Sequence, residues 1–166
     1  MKLVKRHVIS KSHYLWSEID HYAFLSKNLF NLGNYYYRQY FFSYQKKLNF
    51  NELNQKVSNS DDYQVLPTKV SKQIIRRLDK SWSSYFSYLR EWKKQQNKFL
   101  GKPKIPKYKH KTKSRNILPY PDESISKKNL KKGICHLSMS EIKIPTSQTE
   151  IIEARIMPKS SCYIIK

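Results

Sequence analysis

The chain has 166 residues, with 33 Lys and Arg against 12 Asp and Glu and a formal charge of +21, far more than solubility needs and a sign of a polyanionic partner. No stretch is apolar for the length of a membrane span, and the start, MKLVKRHVISKSHY, has no continuous apolar run, which argues against membrane insertion and export. Two distant cysteines, Cys135 and Cys162, give no disulfide framework and fit a reducing, cytoplasmic setting.

The length suits one domain or two small ones. The excess charge also sets the compact state against itself, so phosphate binding and stability are expected to be coupled.

Leu3 to Ser10 alternates weakly and is rich enough in Val and Ile for a short strand, with Lys2, Lys5, Arg6 and His7 exposed. Ser17 followed by Asp20 looks like a capping box with a shorter acid. Tyr22, Leu25, Leu29, Leu32, Tyr36 and Tyr40 then recur at steps of three and four, which predicts a helix from Glu18 to about Lys47. Its aromatics Tyr35, Tyr36, Tyr37, Tyr40, Phe41, Phe42 and Tyr44 cover more than one helix face. Some rings must leave the main seam, to pack on another helix or to stack on bases. Helix packing is the commoner use, and no binding residue is assigned there.

Asn49 to Tyr63 is polar and reads as a connector, a loop or a short helical turn. Thr68 is placed to cap a second long helix, near 68 to 97, whose seam is Val70, Ile74, Leu78, Trp82, Tyr85, Leu89 and Trp92. Off that seam stand Lys69, Lys72, Arg76, Arg77, Lys80 and Arg90, opposed only by Asp79 and Glu91. A solvated basic face is the alternative to a binding face.

From Lys93 to Arg115 the chain has ten Lys and Arg and no acid, while Gly101, Pro103 and Pro106 exclude regular helix. An extended backbone here presents cations on one side while Ile105 and Tyr108 dock on the fold, although Tyr108 is also placed to stack on a base. The candidate nucleic-acid-binding residues are Lys102, Lys104, Lys107, Tyr108, Lys109, Lys111, Lys113 and Arg115, joined by Arg76 and Arg77.

Short β-type runs follow at Asn116 to Tyr120, Ile134 to Ser138, Glu141 to Ile144, Ile151 to Met157 and Cys162 to Ile165. Their spacing predicts a small barrel-like β unit completed by the first strand. The expected class is α+β, divided into a strand region 1–15, a helical part 16–100, a basic extended loop 101–115 and a β-rich part 116–166. The last run stops at Lys166 without a turn or polar tail, and the chain reads as cut short.

No catalytic constellation is visible. The histidines stand apart, no CxxC or HxxxH spacing offers a metal site, and three glycines make no phosphate loop. Adjacent Cys135 and His136 on a strand point to opposite faces. Asp61-Asp62 and Asp122-Glu123 sit in polar linkers, whereas a metal-dependent nuclease needs converging carboxylates. No cofactor, metal site or catalytic residue is assigned, and a binding protein rather than an enzyme is expected.

Four segments, LPTKVSKQIIRRLDKSWSSYFSYLREW, GKPKIPKYKHK, ICHLSMSEIKIP and EARIMPKSSCYII, resemble in order and spacing the N-terminal half of TnpB/OrfB transposon proteins. The opening VKRHVISKSHYLWSEIDHYAFLSKNLFNLGNYYYRQ is similar to one branch of that family, so the resemblance spans nearly the whole chain. It implies a helical recognition part and a β-barrel wedge part that hold a transposon-derived guide RNA and target DNA, in RNA-guided nucleases related to type V CRISPR effectors and linked to DNA transposition. Lys102, Pro103, Pro106, Lys107 and Lys109 fall on the family's G-K-P-x-x-P-K-x-K pattern, and Arg76, Arg77 and Trp82 on its second-helix pattern, Trp82 being read as core. The resemblance places the RuvC-like nuclease and zinc ribbon after the stretch matching YIIK, so both are expected to be missing from this chain. Three functions follow: a truncated guide-RNA- and DNA-binding fragment, half of a split endonuclease completed by a second chain, or a non-selective RNA-coating protein.

Overall fold

The computed structural model describes residues 4–166 and has the α+β architecture expected; Leu3 of the predicted first strand, and Lys2 before it, lie outside the described residues. Helix α1 spans Trp16–Tyr44 and buries Ile19, Ala23, Leu29, Tyr37 and Phe41. Of the predicted seam only Leu29 is buried, while Tyr22, Leu25, Leu32, Tyr36 and Tyr40 pack at the margin of the core and stay partly exposed. It ends at Gln45, which takes a left-handed φ of 53° so that its N–H donates to Phe41 O. The capping box does not form: Ser17 lies inside the helix, Leu15 holds the cap position without a side-chain bond, and Asp20 turns to other partners.

The polar connector is more ordered than the sequence implied. Asn49 accepts from Asn51 N–H and starts α2, Phe50–Val57, and Ser60 accepts from Tyr63 N–H and starts α3, Asp61–Gln64. The residues read as loop formers act instead as helix caps, and Leu53, Val57 and Tyr63 reach the core.

Helix α4, Thr68–Lys94, buries Val70, Ile74, Leu78, Trp82 and Tyr85 of the predicted seam, with Ile75 beside them, while Leu89 and Trp92 are only partly buried. Pro67, not Thr68, holds its cap position, and the helix stops at Lys94 before a short 3-10 turn at Gln96–Lys98. α1 crosses it at Gly33, where an added Cβ would lie 2.9 Å from both Ile75 Cδ1 and Leu78 Cδ2. Trp82 stacks on Tyr37 with ring centroids 4.3 Å apart and donates from Nε1 to Asn34 Oδ1 at 2.9 Å.

The strands are β1 (His7–Ser10), β2 (Leu118–Pro121), β3 (Ile134–His136), β4 (Lys143–Pro145), β5 (Glu153–Pro158) and β6 (Cys162–Ile165), with a short α5 (Lys127–Leu130) that the sequence did not signal. Ser126 caps α5 by accepting from Asn129 N–H. Four strands form an antiparallel sheet in the order β1-β6-β5-β2, with His7 opposite Ile165 and Leu118 opposite Ile156. β3 and β4 form a separate ribbon.

The expected barrel does not close. Pro119 and Pro121 remove two backbone donors from β2, which suits it to an edge, and β1 bounds the other side. One buried cluster runs from Ile9 through both long helices to Ile165, so the sheet and helices share a core. Among the described residues no helix is long and apolar enough to cross a membrane.

Trp82 is where this core is most easily broken. Trp82→Ala is expected to cost about 3–5 kcal/mol through the cavity it leaves. Trp82→Phe is expected to cost about 1–3 kcal/mol, because Asn34 Oδ1 is stranded in the interior. Urea unfolding of the two variants checks both values.

Candidate nucleic-acid interface

The basic loop from Gly101 to Arg115 cannot be helical, so its peptide groups need partners elsewhere. α1 supplies them from a polar row that runs beside its apolar seam. Asn31 makes a reciprocal pair with Lys109: its Nδ2 donates to Lys109 O at 2.8 Å, and its Oδ1 accepts from Lys109 N–H at 2.9 Å. Asn34 Nδ2 donates to Pro106 O at 3.2 Å, and Arg38 Nη2 donates to the same oxygen at 2.6 Å. Lys27, fully buried, donates its ammonium to Lys111 O.

At the loop's far end Arg115 makes a two-pronged pair with Asp20, Nε to Oδ1 at 2.9 Å and Nη2 to Oδ2 at 2.7 Å. Tyr163 of β6 donates its hydroxyl to Asp20 Oδ1 at 2.7 Å, and Asn116 N–H donates to Ala23 O at 3.0 Å. The loop therefore lies antiparallel along α1, from Arg38 at one end to Asp20 at the other.

With the backbone held inward, the side chains divide. Lys102, Lys104, Lys107, Lys111 and Lys113 are exposed. Lys102 Nζ lies 5.8 Å from the Trp92 ring, and Ile105 packs on the core as expected. Tyr108 remains 45% exposed with the Arg38 guanidinium 4.5 Å from its ring centre, so it is both anchored and open. Lys109 is half-buried, 5.1 Å from the Phe30 ring, and the loss of water around it lowers the pKa of its ammonium.

The arginines singled out from sequence differ in the same way. Arg76 is exposed, 4.8 Å from the Phe50 ring. Arg77 pairs with Glu153 at 3.2 Å, and Arg115 is committed to Asp20.

Arg77 and Lys109, which are 32 positions apart in the chain, meet at a cleft of about 500 Å³ lined by Phe30, Arg77, Lys80, Ser81, Ser84, Lys109, Asn116 and Ile117. Its lining holds three cations and, among the described residues, no carboxylate. Ser81 and Ser84 donate to Arg77 O and Lys80 O within α4, at 3.0 Å each, which leaves their oxygens facing outward only as acceptors. The cationic groups that line it are those of Lys80, Lys109 and Arg77, the last of which also pairs with Glu153. The sequence had placed Lys80 on a basic face without assigning it a role. The i, i+3 spacing of Arg77 and Lys80 was the available signal, and the approach of Lys109 was not visible.

No family model matches the chain, and no curated protein matches it. Its chemistry therefore has to be read from the side chains. Among the described residues no three His, Cys, Asp or Glu come together to hold a metal ion. His136 is held between Asn129 Nδ2 and Ser140 O, at 2.8 Å each, while burial pushes the Cys135 thiol up to about 11. The two make no nucleophile and base pair. Asp61 and Asp62 lie in the first turn of α3, and Glu123 pairs with Lys69 at 2.8 Å.

The hydrogen bond from Arg115 holds the Asp20 carboxyl below its ordinary value of 3.8, against the effect of burial and with help from the Tyr163 hydroxyl. A depressed folded value means that the pair stabilises fully above pH 3.8 and loses its effect as pH falls from there through the folded value. Asp20→Asn should cost about 1–3 kcal/mol near neutral pH, and its gap from wild type should narrow as pH drops below 3.8. Urea unfolding of both proteins at stepped pH tests this. A gap that stays constant in acid would remove the charge from the explanation.

Proposed function

We propose that the chain is a nucleic-acid-binding protein that uses its basic loop and the adjoining cleft to hold a phosphate backbone. The observation that carries this reading is the convergence of Arg77, Lys80 and Lys109 beside five exposed loop lysines. The lysines answer the phosphates of a strand with point charges, and the cleft takes one phosphate between three cations. Half-buried Lys109 has already lost part of its water, so an anion there replaces solvation rather than competing with it.

The resemblance to TnpB/OrfB transposon proteins gives the reading its finer form. In that form the chain is the recognition and wedge portion of such a protein, binds a transposon-derived guide RNA and target DNA in the cytoplasm, and cuts neither. The scattered carboxylates support the last point, because phosphodiester hydrolysis with metal ions needs acids that converge.

Replacing Lys102, Lys104, Lys107 and Lys109 together with Gln is expected to weaken RNA binding strongly and to flatten the plot of log K against log salt by about three units, at roughly 0.7 to 0.9 per lost phosphate contact. The control is the same change at Lys127, Lys128, Lys131 and Lys132, exposed residues on and just after α5. Equal weakening by both variants would reduce the interface to diffuse charge. Incubated with guide RNA, target DNA and Mg²⁺, the wild-type chain is expected to leave the DNA intact. Cutting that disappears when one of its own acids is replaced would overturn the non-enzymatic reading.

A further inference from the structure

The aromatic cluster of α1 divides between the core and a second surface. Tyr37 and Phe41 pack on Trp82, with ring centroids at 4.3 and 5.4 Å. Tyr35 and Phe42 do not, and remain 49% and 56% exposed. They are seven residues apart, within about 20° of two full helical turns, and so share one flank of the helix.

That flank adjoins the basic loop. On the helix circumference Phe30, which faces the cleft, lies about 100° to one side of Asn31, and Tyr35 lies about 40° to the other. Asn31 and Arg38, the neighbours of Tyr35 at i−4 and i+3, are the residues that hold Lys109 and Pro106. Successive side chains of an extended segment alternate; Lys109 goes to the cleft, while Tyr108 is not among the cleft residues and lies against Arg38, the i+3 neighbour of Tyr35. Three open rings thus edge the loop on the side away from the cleft, with the Arg38 guanidinium against one of them.

We propose that Tyr35, Phe42 and Tyr108 are a stacking site for unpaired bases of a single-stranded nucleic acid whose phosphates follow the loop lysines. The proposal rests on the nucleic-acid reading above and narrows it to strands whose bases are free. Aromatic faces beside an unbroken run of cations are the chemistry that holds single strands without sequence preference. α1 has no Asp or Glu after Asp20, so the helix itself sets no carboxylate against the backbone there. Tyr35 and Phe42 are offset by about 10 Å along the axis, roughly three steps of stacked bases. A duplex keeps its base faces covered and gains nothing from the rings.

The test is a binding titration of the full chain with a labelled single-stranded oligouridine and, separately, a hairpin duplex RNA at several salt concentrations. Tyr35→Leu, Phe42→Leu and Tyr108→Leu keep apolar bulk at open positions, and thermal unfolding confirms that each variant is folded. Each is expected to weaken oligouridine binding roughly 5- to 100-fold, with the salt slope and the duplex affinity unchanged. Tyr35→Phe and Tyr108→Phe are expected to bind as wild type does. Unchanged oligouridine affinity in the Leu variants, or equal losses for the duplex, would overturn the stacking site while leaving the phosphate reading intact. If the wild-type chain binds neither RNA, both readings fall together.

Discussion

The hydrogen bonds between the polar row of α1 and the backbone of the basic loop are the constraint on which the rest depends. A segment with seven Lys and Arg and no acid has every electrostatic reason to leave the protein surface. It stays because Asn31, Asn34 and Arg38 satisfy its peptide groups, and because Asp20 clamps Arg115 where the loop becomes β2. Those bonds address the backbone and leave the charges free. The loop is thereby ordered in advance, and a strand bound there as proposed would not have to supply the entropy of ordering it.

The few carboxylates are used to similar effect. Asp20 holds Arg115, Glu153 holds Arg77 and Arg155, Glu123 holds Lys69, and Glu18 accepts from Glu141 N–H to join α1 to the loop before β4. Most of these pairs tie the helices to the β-rich part or to the loop that leads into it. The pairs near the surface are worth little each. The Asp20 cluster is less exposed and also engages Tyr163 of β6, so it joins α1, the loop and the sheet at one carboxyl group. With acids engaged in this way, the loop lysines form no ion pair among the described residues, which is the condition the proposed phosphate partner would meet.

The parts of this arrangement that repeat at helical or strand periods were legible in the sequence. The existence of α1, most of the seam of α4, the burial of Trp82 and the places of the short strands follow from spacing of apolar residues, whereas the seam of α1 lies on Ile19, Ala23, Tyr37 and Phe41 rather than on the predicted stripe, of which only Leu29 is buried. What the sequence concealed was the use of polar residues. Ser17 and Asp20 matched a helix-start pattern, yet Asp20 belongs to a tertiary cluster more than ninety positions long in chain distance. Asn49 and Ser60 suited loops and turned out to cap helices, because a cap and a turn draw on the same short side chains. The polar row on α1 has helical spacing too, but a polar stripe is the ordinary mark of a solvated face, and only the approach of the loop converts it into a binding seam. The barrel failed for a local reason that could have been weighed, since two prolines in one strand argue for an edge.

The geometry also explains why one loop presents two unlike surfaces. An extended backbone pinned along a helix must send alternate side chains to opposite flanks, and here the flanks differ. On one side α4 brings Arg77 and Lys80 against Lys109, and the surface is a cationic cleft. On the other, the surface is the exposed rings of Tyr35, Phe42 and Tyr108. Phosphate and base are themselves two unlike surfaces on opposite sides of a sugar. On the proposed reading a single strand laid along the loop would be matched on both, with charge set against charge and ring against ring. A loop that was basic but unpinned would offer only the first of these, and its affinity would depend on salt alone.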